Sequence, residues 1–166
     1  DKNASCQVID TFNYIRHENN FYKINEIDPF GRFIIIEKVS KPEASKQVIK
    51  VLDEIPDVNI KMVNNKVVNI NKLINKNKYT YIEFWGLWCE PCIKEMPNVR
   101  AFYEKHRDKI TLISLNYKDS SVDVNKYLEN KNYNWHFGFS DESLNQIFMV
   151  CGFPHGLLFD PNGKLI

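Results

Sequence analysis

Hydrophobic positions from residue 79 onward alternate between short β-rich runs and segments with helical spacing. The predicted strands are residues 79–85, 110–116, 135–139 and 156–159. The predicted helices are residues 91–106, 121–130 and 142–150. Such alternation of strands and helices predicts an α/β domain with a parallel-based central sheet and helices on both of its faces. A turn at residues 160–163 predicts that the final strands are antiparallel, which makes the sheet mixed.

The first third of the chain has a different pattern. Two β-rich runs, residues 21–27 and 32–39, flank the turn sequence Asp28-Pro29-Phe30-Gly31 and predict a β-hairpin. Apolar residues recur at helical spacing in residues 41–55 and predict a helix. We therefore predict an N-terminal extension, made of a β-hairpin and a helix, over residues 1–59.

The main domain is predicted to span residues 60–166 and to open with a second hairpin. Its strands would be residues 60–63 and 66–70, joined at Asn64-Asn65, because asparagine tolerates the positive φ of a tight turn. The sequence stops inside a predicted strand, and we expect the domain to be truncated at its C-terminus.

Composition and charge narrow the function classes. Charged residues at 26% and hydrophobic residues at 43% are typical of a globular protein and argue against disorder. A formal net charge of +1 gives no reason to expect a nucleic acid or an anionic membrane surface as partner. No apolar run is long enough to predict a membrane-spanning helix.

Two cysteines, Cys89 and Cys92, lie at the junction between a predicted strand and a predicted helix. Unpaired backbone N–H groups at a helix start favour a thiolate, so an exposed Cys89 is the predicted nucleophile. Cys92 lies almost one turn later on the same side and would resolve the mixed disulfide. Pro91 suits the first helical turn, whereas the charge of an exposed Glu90 opposes a second anion.

The cysteines also admit other interpretations. A zinc site from Cys89, Cys92, Cys151 and His155 is disfavoured because the sequence has no second Cys-x-x-Cys or His-x-x-His pair. A purely structural bridge between Cys89 and Cys92 would close too little chain to add much stability. Cys6 can be interpreted as a free thiol, as a structural partner of Cys151 or as a buried small residue, and the last two interpretations are favoured equally. Cys151 is interpreted as a buried residue at a helix end.

Glu83 is the most informative polar residue outside the dithiol, because it interrupts a predicted strand that is covered on both faces. Burial disfavours an ionised carboxylate and raises its pKa, which suits proton exchange with a thiol. The alternative is a glutamate whose carboxylate reaches solvent at the end of the sheet.

These motifs resemble a known family. Trp88-Cys89-Glu90-Pro91-Cys92 after a strand resembles the thioredoxin superfamily, and Lys94-Glu95-Met96-Pro97 resembles, more narrowly, the extracytoplasmic TlpA/ResA-like thiol-disulfide oxidoreductases. Gly152-Phe153-Pro154, followed by residues 157–166, resembles the cis-proline loop and hairpin of that family. The resemblance covers residues 60–166 and implies a thioredoxin-like fold.

The resemblance also implies roles for individual residues. Glu83 would accept the proton of the resolving cysteine, and Glu95 would tune the dithiol. A cis Pro154, preceded by Phe153, would lie against the dithiol where a substrate chain pairs, and Trp88 would form part of an apolar docking surface. His155 stands where the family often has threonine, and a surface histidine without a redox role is the favoured interpretation.

The predicted function is that of a bacterial, extracytoplasmic thiol-disulfide oxidoreductase, acting as a reductant. It would need no cofactor beyond the redox-active Cys89-Cys92 disulfide. Its expected partners are disulfide-containing client proteins, with apocytochrome c among those that the resemblance implies, and a membrane thiol-disulfide electron donor. The expected location is the periplasm, secreted or tethered to the membrane. The alternative is a redox-silent thioredoxin-fold module for binding or scaffolding.

Overall fold

The computed structural model describes residues 14–17, 20–27, 34–40, 48–50 and 54–166. They belong to two compact units, one within residues 7–53 and the other containing residues 54–166. The predicted turn at residues 28–31 and the interpretations of Cys6 lie outside the described residues. Among the described residues, no helix has the length and apolar character needed to cross a membrane.

The first unit contains a four-stranded sheet. Its strands are β1 (Tyr14–His17), β2 (Asn20–Ile27), β3 (Ile34–Val39) and β4 (Val48–Lys50), in the order β3-β2-β1-β4. Strands β2 and β3 are antiparallel, which confirms the two strands of the predicted N-terminal hairpin. Strand β1, which the sequence pattern did not predict, pairs antiparallel with β2 and parallel with β4.

The helix predicted at residues 41–55 is wrong at Val48–Lys50, because this segment is strand β4. Val48 and Ile49 are β-branched, and their stiff side chains fit a pleated sheet better than a helix. Pairing with β1 supplies backbone hydrogen bonds that helical spacing alone could not predict. The remaining residues of the predicted helix, apart from residues 54–55, lie outside the described part of the chain.

The second unit alternates strands and helices as predicted. Its strands are β5 (Asn59–Met62), β6 (Val67–Asn69), β7 (Tyr79–Trp85), β8 (Ile110–Tyr117), β9 (His136–Ser140) and β10 (His155–Phe159). Its α-helices are α1 (Glu90–His106), α2 (Ser121–Leu128) and α3 (Glu142–Ile147), and a 3-10 turn occupies Ile70–Lys72. Helix α3 ends earlier than predicted, because Met149 adopts a positive φ of 55° that a helix cannot contain.

The six strands of this unit form one mixed sheet in the order β10-β7-β8-β9-β5-β6. Strands β7, β8 and β9 are parallel, whereas β10 and β5 run antiparallel to β7 and β9. The register places Glu83 opposite Ser114 on one side and opposite Gly156 on the other. The carboxyl ends of β7 and β8 therefore meet at one edge of the sheet, where α1 begins.

Helices cover both faces of this sheet, as predicted. On one face, Trp85 and Phe137 pack with Cys92 and Met96 of α1 and with Val124 of α2. On the other face, Phe84 contacts Phe148 at the end of α3, with 5.3 Å between ring centroids. Because side chains alternate along a strand, Glu83 lies on the same face as Trp85.

Candidate functional site

A disulfide joins Cys89 and Cys92 at the start of α1, with 5.3 Å between their Cα atoms. Cys89 is the N-cap of the helix, and its Sγ accepts the backbone N–H of Cys92 at 3.3 Å. Pro91 lies in the first turn, where its missing N–H costs no helical hydrogen bond. The positive end of the helix dipole therefore lies at the sulfur of Cys89 and favours a thiolate once the bridge is reduced.

The predicted exposure of Cys89 is wrong, because this residue is only 4% exposed. The reason is tertiary packing, since Leu87 and Phe153 pack against the buried cluster that contains both cysteines. Burial of Cys92, which is 3% exposed, fits its position inside the first turn.

Glu90, between the two cysteines, is exposed as expected, and Lys94 one turn later contacts it. The Nζ of Lys94 lies 2.7 Å from Oε1 of Glu90, and both side chains are more than two-thirds exposed. An exposed pair of this kind contributes little stability. It does place a positive charge against Glu90, and this offsets part of the repulsion between Glu90 and a thiolate at Cys89.

The loop that precedes Cys89 is bound to the connection between β8 and α2. The backbone N–H of Leu87 donates to Oδ2 of Asp119 at 2.6 Å. The indole Nε1 of Trp88 donates to the carbonyl oxygen of Tyr117 at 2.9 Å. The indole lies directly over Gly86, where an added Cβ would clash with Nε1 and come within 2.7 Å of Cε2. Glycine is therefore the residue that lets Trp88 lie flat against its own loop.

Three aromatic rings, Trp88, Phe153 and Tyr117, form what we call the aromatic wall. Trp88 contacts Phe153 edge-on with 5.1 Å between ring centroids, and Phe153 stacks on Tyr117 at 5.4 Å. Trp88 is 53% exposed, so the wall presents apolar surface to solvent. The Phe153-Pro154 peptide bond is cis. The structure thus places the predicted residues Trp88, Phe153 and Pro154 on the same side of the unit as the dithiol.

Glu83 is 8% exposed, which argues against a carboxylate that reaches solvent at the sheet end. Its Oε1 accepts the hydroxyl of Ser114 at 2.5 Å. Burial is the largest influence on the pKa of Glu83; the Ser114 hydrogen bond opposes it and the negative charge of Glu95 adds to it, and together they raise the pKa to about 7. At neutral pH such a carboxyl exists in both protonation states and can exchange a proton with a thiol.

Glu95 is exposed on α1, and its charge is close enough to affect two groups on β7. It raises the pKa of Glu83 and, behind burial and Glu83 itself, that of Tyr81. These effects place the charge of Glu95 near Glu83, and its effect on the dithiol itself stays a prediction.

His155 is half-buried rather than on the surface as predicted. Its ring lies edge-on to Phe84 at 6.1 Å, and burial lowers the pKa of its imidazole. It pairs with Phe84 across the β10–β7 ladder, so its side chain lies on the sheet face opposite Glu83. Within the described residues, no group of three or more His, Cys, Asp or Glu side chains is arranged to hold a metal ion.

Three residues that support the predicted site residues or their loop were not predicted from the sequence: Ser114, Trp135 and Asp119. Ser114 had a usable signal, since it is a polar residue between two large apolar residues of its strand, as Glu83 is. Asp119 follows the end of β8, the edge at which β7 also ends. Trp135 gave no signal, because its contact with Ser114 depends on the register of β8 and β9.

A model of the thioredoxin-like family matches residues 75–165, which is more than half of the chain. The chain belongs to the thioredoxin-like family. The predicted thioredoxin-like α/β fold and the predicted superfamily are therefore confirmed. Within this family the dithiol of the chain, Cys89 and Cys92, occupies the strand-to-helix junction described above.

Several relatives of this chain share the name thiol-disulfide oxidoreductase ResA. The thiol-disulfide oxidoreductase ResA of a Bacillus cereus strain is 28% identical over 127 residues, covering 74% of this chain and 71% of the relative. ResA of Bacillus subtilis strain 168 is 26% identical over 125 residues, covering 74% and 69%. These names agree with the predicted enzyme class and with the ResA-like resemblance.

A solved thioredoxin-like structure supports the fold. The thioredoxin domain of a thiol-disulfide oxidoreductase from Bacteroides vulgatus superposes with a TM-score of 0.60. The two chains are 24% identical, and the match covers 68% of this chain and 83% of that one.

Proposed function

We propose that this protein reduces disulfides in client proteins, with Cys89 and Cys92 as its redox-active pair. The observation that carries the proposal is the Cys89-Cys92 disulfide at the N-terminus of α1, with the buried Glu83 on the same face of the sheet. Membership of the thioredoxin-like family and relatives named thiol-disulfide oxidoreductases support it.

The reaction begins with the reduced protein. The thiolate of Cys89 attacks one sulfur of the client disulfide, which forms a mixed disulfide and releases the other client sulfur as a thiolate. Glu83 accepts the proton of Cys92, and the Cys92 thiolate attacks the Sγ of Cys89. The Cys89-Cys92 bond forms and the client leaves as a dithiol after protonation. Two electrons pass from the dithiol to the client, and no further cofactor is needed.

Client binding is assigned to the aromatic wall and the adjoining Phe153-Pro154 backbone. Apolar, partly exposed rings beside a reactive group provide contact area that does not depend on one client sequence. An extended backbone beside the dithiol would pair with an extended client segment. Apocytochrome c is a candidate client, on the basis of the TlpA/ResA-like resemblance.

The same resemblance supports a location outside the cytoplasm, secreted or tethered to the membrane, and reduction by a membrane thiol-disulfide donor. That donor must reach Cys89, a residue that is 4% exposed in the disulfide form. We also propose that residues 1–59 are an extension of the redox domain, residues 60–166. The division of the described residues into two compact units supports an extension, with a boundary between residues 53 and 54.

The test is the reduction potential of the pair in the full chain. The protein is equilibrated in glutathione or dithiothreitol buffers, alkylated and digested with trypsin, which releases both cysteines in one peptide, residues 79–94. A two-electron couple near or below about −220 mV supports a reductase, whereas a value near about −120 mV reverses the direction of electron flow. Cys89→Ser and Cys92→Ser variants serve as controls for turnover of a protein disulfide. No titratable couple in the folded protein would leave a redox-silent binding module.

A further inference from the structure

A chain of two hydrogen bonds ends at Glu83. The indole Nε1 of Trp135 donates to Oγ of Ser114 at 2.7 Å. The hydroxyl of Ser114 donates to Oε1 of Glu83 at 2.5 Å. The three residues come from adjacent parts of the sheet, since Glu83 and Ser114 face each other across β7 and β8, and Trp135 directly precedes β9.

The chemistry of these donors fixes the direction of the hydrogen bonds, from Trp135 to Ser114 and from Ser114 to Glu83. An indole N–H donates a hydrogen bond and cannot accept one, whereas a serine hydroxyl has one proton to donate. Because Trp135 points its N–H at the lone pairs of Ser114, the proton of Ser114 points away from Trp135 and toward Glu83. A hydrogen bond donated to a carboxylate favours the ionised form, which is the form that accepts a proton.

Packing holds Trp135 in this orientation. Its ring centroid lies 5.3 Å from that of Tyr103 on α1, 4.8 Å from Tyr133 and 5.1 Å from Phe137 on β9. Rings on three sides limit the rotation of the indole, so its N–H is aimed at Ser114 before any proton moves. Such preorganisation is what makes an electrostatic contribution effective in a buried site.

The other groups that face Glu83 work against ionisation or are neutral. Glu95 on α1 places a negative charge nearby, and burial penalises the carboxylate. Tyr81 on β7 and Tyr127 on α2 also lie close, and burial raises the pKa of both phenols, so they are neutral near pH 7. Gly156 of β10, opposite Glu83, has no side chain. Of the influences on the pKa of Glu83, the Ser114 hydrogen bond is the one that lowers it.

We propose that Ser114 and Trp135 are positioning residues that hold Glu83 in its proton-accepting form, and that Trp135 acts only through Ser114. The inference rests on the proposed function in which Glu83 accepts the proton of Cys92. Neither residue touches the sulfurs in this scheme; Trp135 orients the serine hydroxyl, and the hydroxyl stabilises the carboxylate. The pair thus offsets part of the cost of burying Glu83.

The test is a carboxyl carbon NMR titration of Glu83 in the full, oxidised protein. We expect Ser114→Ala to raise the titration midpoint of Glu83 by about one pH unit, because a hydrogen bond to a charged group is lost. Trp135→Phe is expected to raise it by a smaller amount, since the serine hydroxyl becomes free to turn away. Ser114→Thr retains a hydroxyl, so the Glu83 midpoint in this variant is expected to stay close to the wild-type value.

A double variant tests whether Trp135 affects Glu83 through Ser114 or only through packing. In a Ser114→Ala background, Trp135→Phe should produce no further shift of the Glu83 midpoint. Trp85→Phe is the matched control, because it makes the same substitution in the same core, and among the described residues Nε1 of Trp85 has no hydrogen-bond partner. An equal shift for Trp135→Phe with and without Ser114, or no shift at all, would overturn the proposal.

The readout distinguishes this proposal from the proposed function. If the wild-type protein does not turn over protein disulfides but the Glu83 midpoint shifts as expected in the variants, the proposed function is contradicted. The proposed hydrogen-bond chain is then still supported. If the wild type shows normal turnover but the Glu83 midpoint does not shift in the variants, only the proposed role of Ser114 and Trp135 is contradicted. If Ser114→Ala does not fold, the Glu83 midpoints of Trp135→Phe and Trp85→Phe still test the proposal, because only Trp135 belongs to the hydrogen-bond chain that ends at Glu83.

Discussion

The carboxylate of Asp119 accepts the backbone N–H of Leu87 at 2.6 Å, two residues before Cys89. The same oxygen, Oδ2, accepts the side-chain amide of Asn116 at 2.8 Å. With the indole hydrogen bond from Trp88 to Tyr117, these contacts bind the dithiol loop to the end of β8. The position of Cys89 is therefore determined from both sides, by α1 after it and by Asp119 before it.

Asp119→Ala is expected to destabilise the oxidised protein by about 1–3 kcal/mol, because two partly buried donors lose their acceptor. Asp119→Asn retains one acceptor oxygen and should cost less. Urea unfolding measures both losses, and turnover of a protein disulfide should fall in the same order. Asp108→Ala, at an exposed aspartate after α1, is the control and should change stability by less than about 0.5 kcal/mol. Equal stability of all three variants would contradict the role of Asp119.

The stability of the oxidised protein should fall as pH rises from about 4.5 to above 7, because Glu83 has an ordinary pKa of 4.5 and a folded-state pKa of about 7. In that window the folded state binds more protons than the unfolded state, so unfolding releases protons and is favoured by higher pH. The contribution of Glu83 is on the order of 3 kcal/mol, fully present below the unfolded pKa and lost above the folded one. Glu83→Gln should remove this part of the pH dependence in urea unfolding from pH 4 to 9. A profile that Glu83→Gln leaves unchanged would show that another group is responsible.

Gly156→Ala should destabilise the protein by about 1–3 kcal/mol through overpacking. A Cβ at this position would clash with the hydroxyl oxygen of Tyr81 and lie 2.8 Å from its Cζ, so the ring must move. Adding Tyr81→Phe, which removes the hydroxyl, should recover part of the loss. Gly152→Ala is the control, since no described atom lies within 4 Å of its added Cβ. Thermal unfolding of the four proteins tests the prediction, and equal losses at the two glycines would refute it.

Trp88→Ala should weaken turnover of protein disulfides much more than it lowers the rate with a small disulfide such as oxidised glutathione. Loss of an exposed aromatic anchor typically costs about 1.4 kcal/mol or more of binding, which is about a tenfold increase in KM. Phe102→Ala is the control, because Phe102 is 47% exposed but lies toward the far end of α1 from the dithiol. A parallel loss with both substrates would instead indicate that Trp88 acts on the dithiol itself.

Local signals in the sequence predicted the dithiol junction well. Strand β7 has the predicted bounds, and α1 begins one residue before the predicted start, because an apolar run, an N-capping cysteine and Pro91 are all properties of neighbouring residues. Strand β4 was missed because Val48 fits both helical spacing and β-pairing, and the pairing with β1 decided between the two structures.

The contacts around Glu83 could not be predicted in the same way. The burial of Glu83 followed from its place in a covered strand, but its partner Ser114 depends on the relative shift of two parallel strands. Nothing in residues 79–85 or 110–117 specifies that shift, which results from the packing of the whole sheet. The burial of Cys89 was missed for a related reason, since Phe153 comes from a distant part of the chain to pack against the cluster that contains Cys89.

Strand β10 pairs with β7, although β8 and β9 lie between them in the chain. During synthesis, the segment that contains β7, both cysteines and α1 therefore leaves the ribosome well before Phe153 and β10. Contacts between distant segments form late, because the intervening chain must first be closed into a loop. A nascent chain can thus acquire its dithiol before it acquires the complete aromatic wall that we propose binds clients, and a Cys89-Cys92 bridge does not show that the client site is complete.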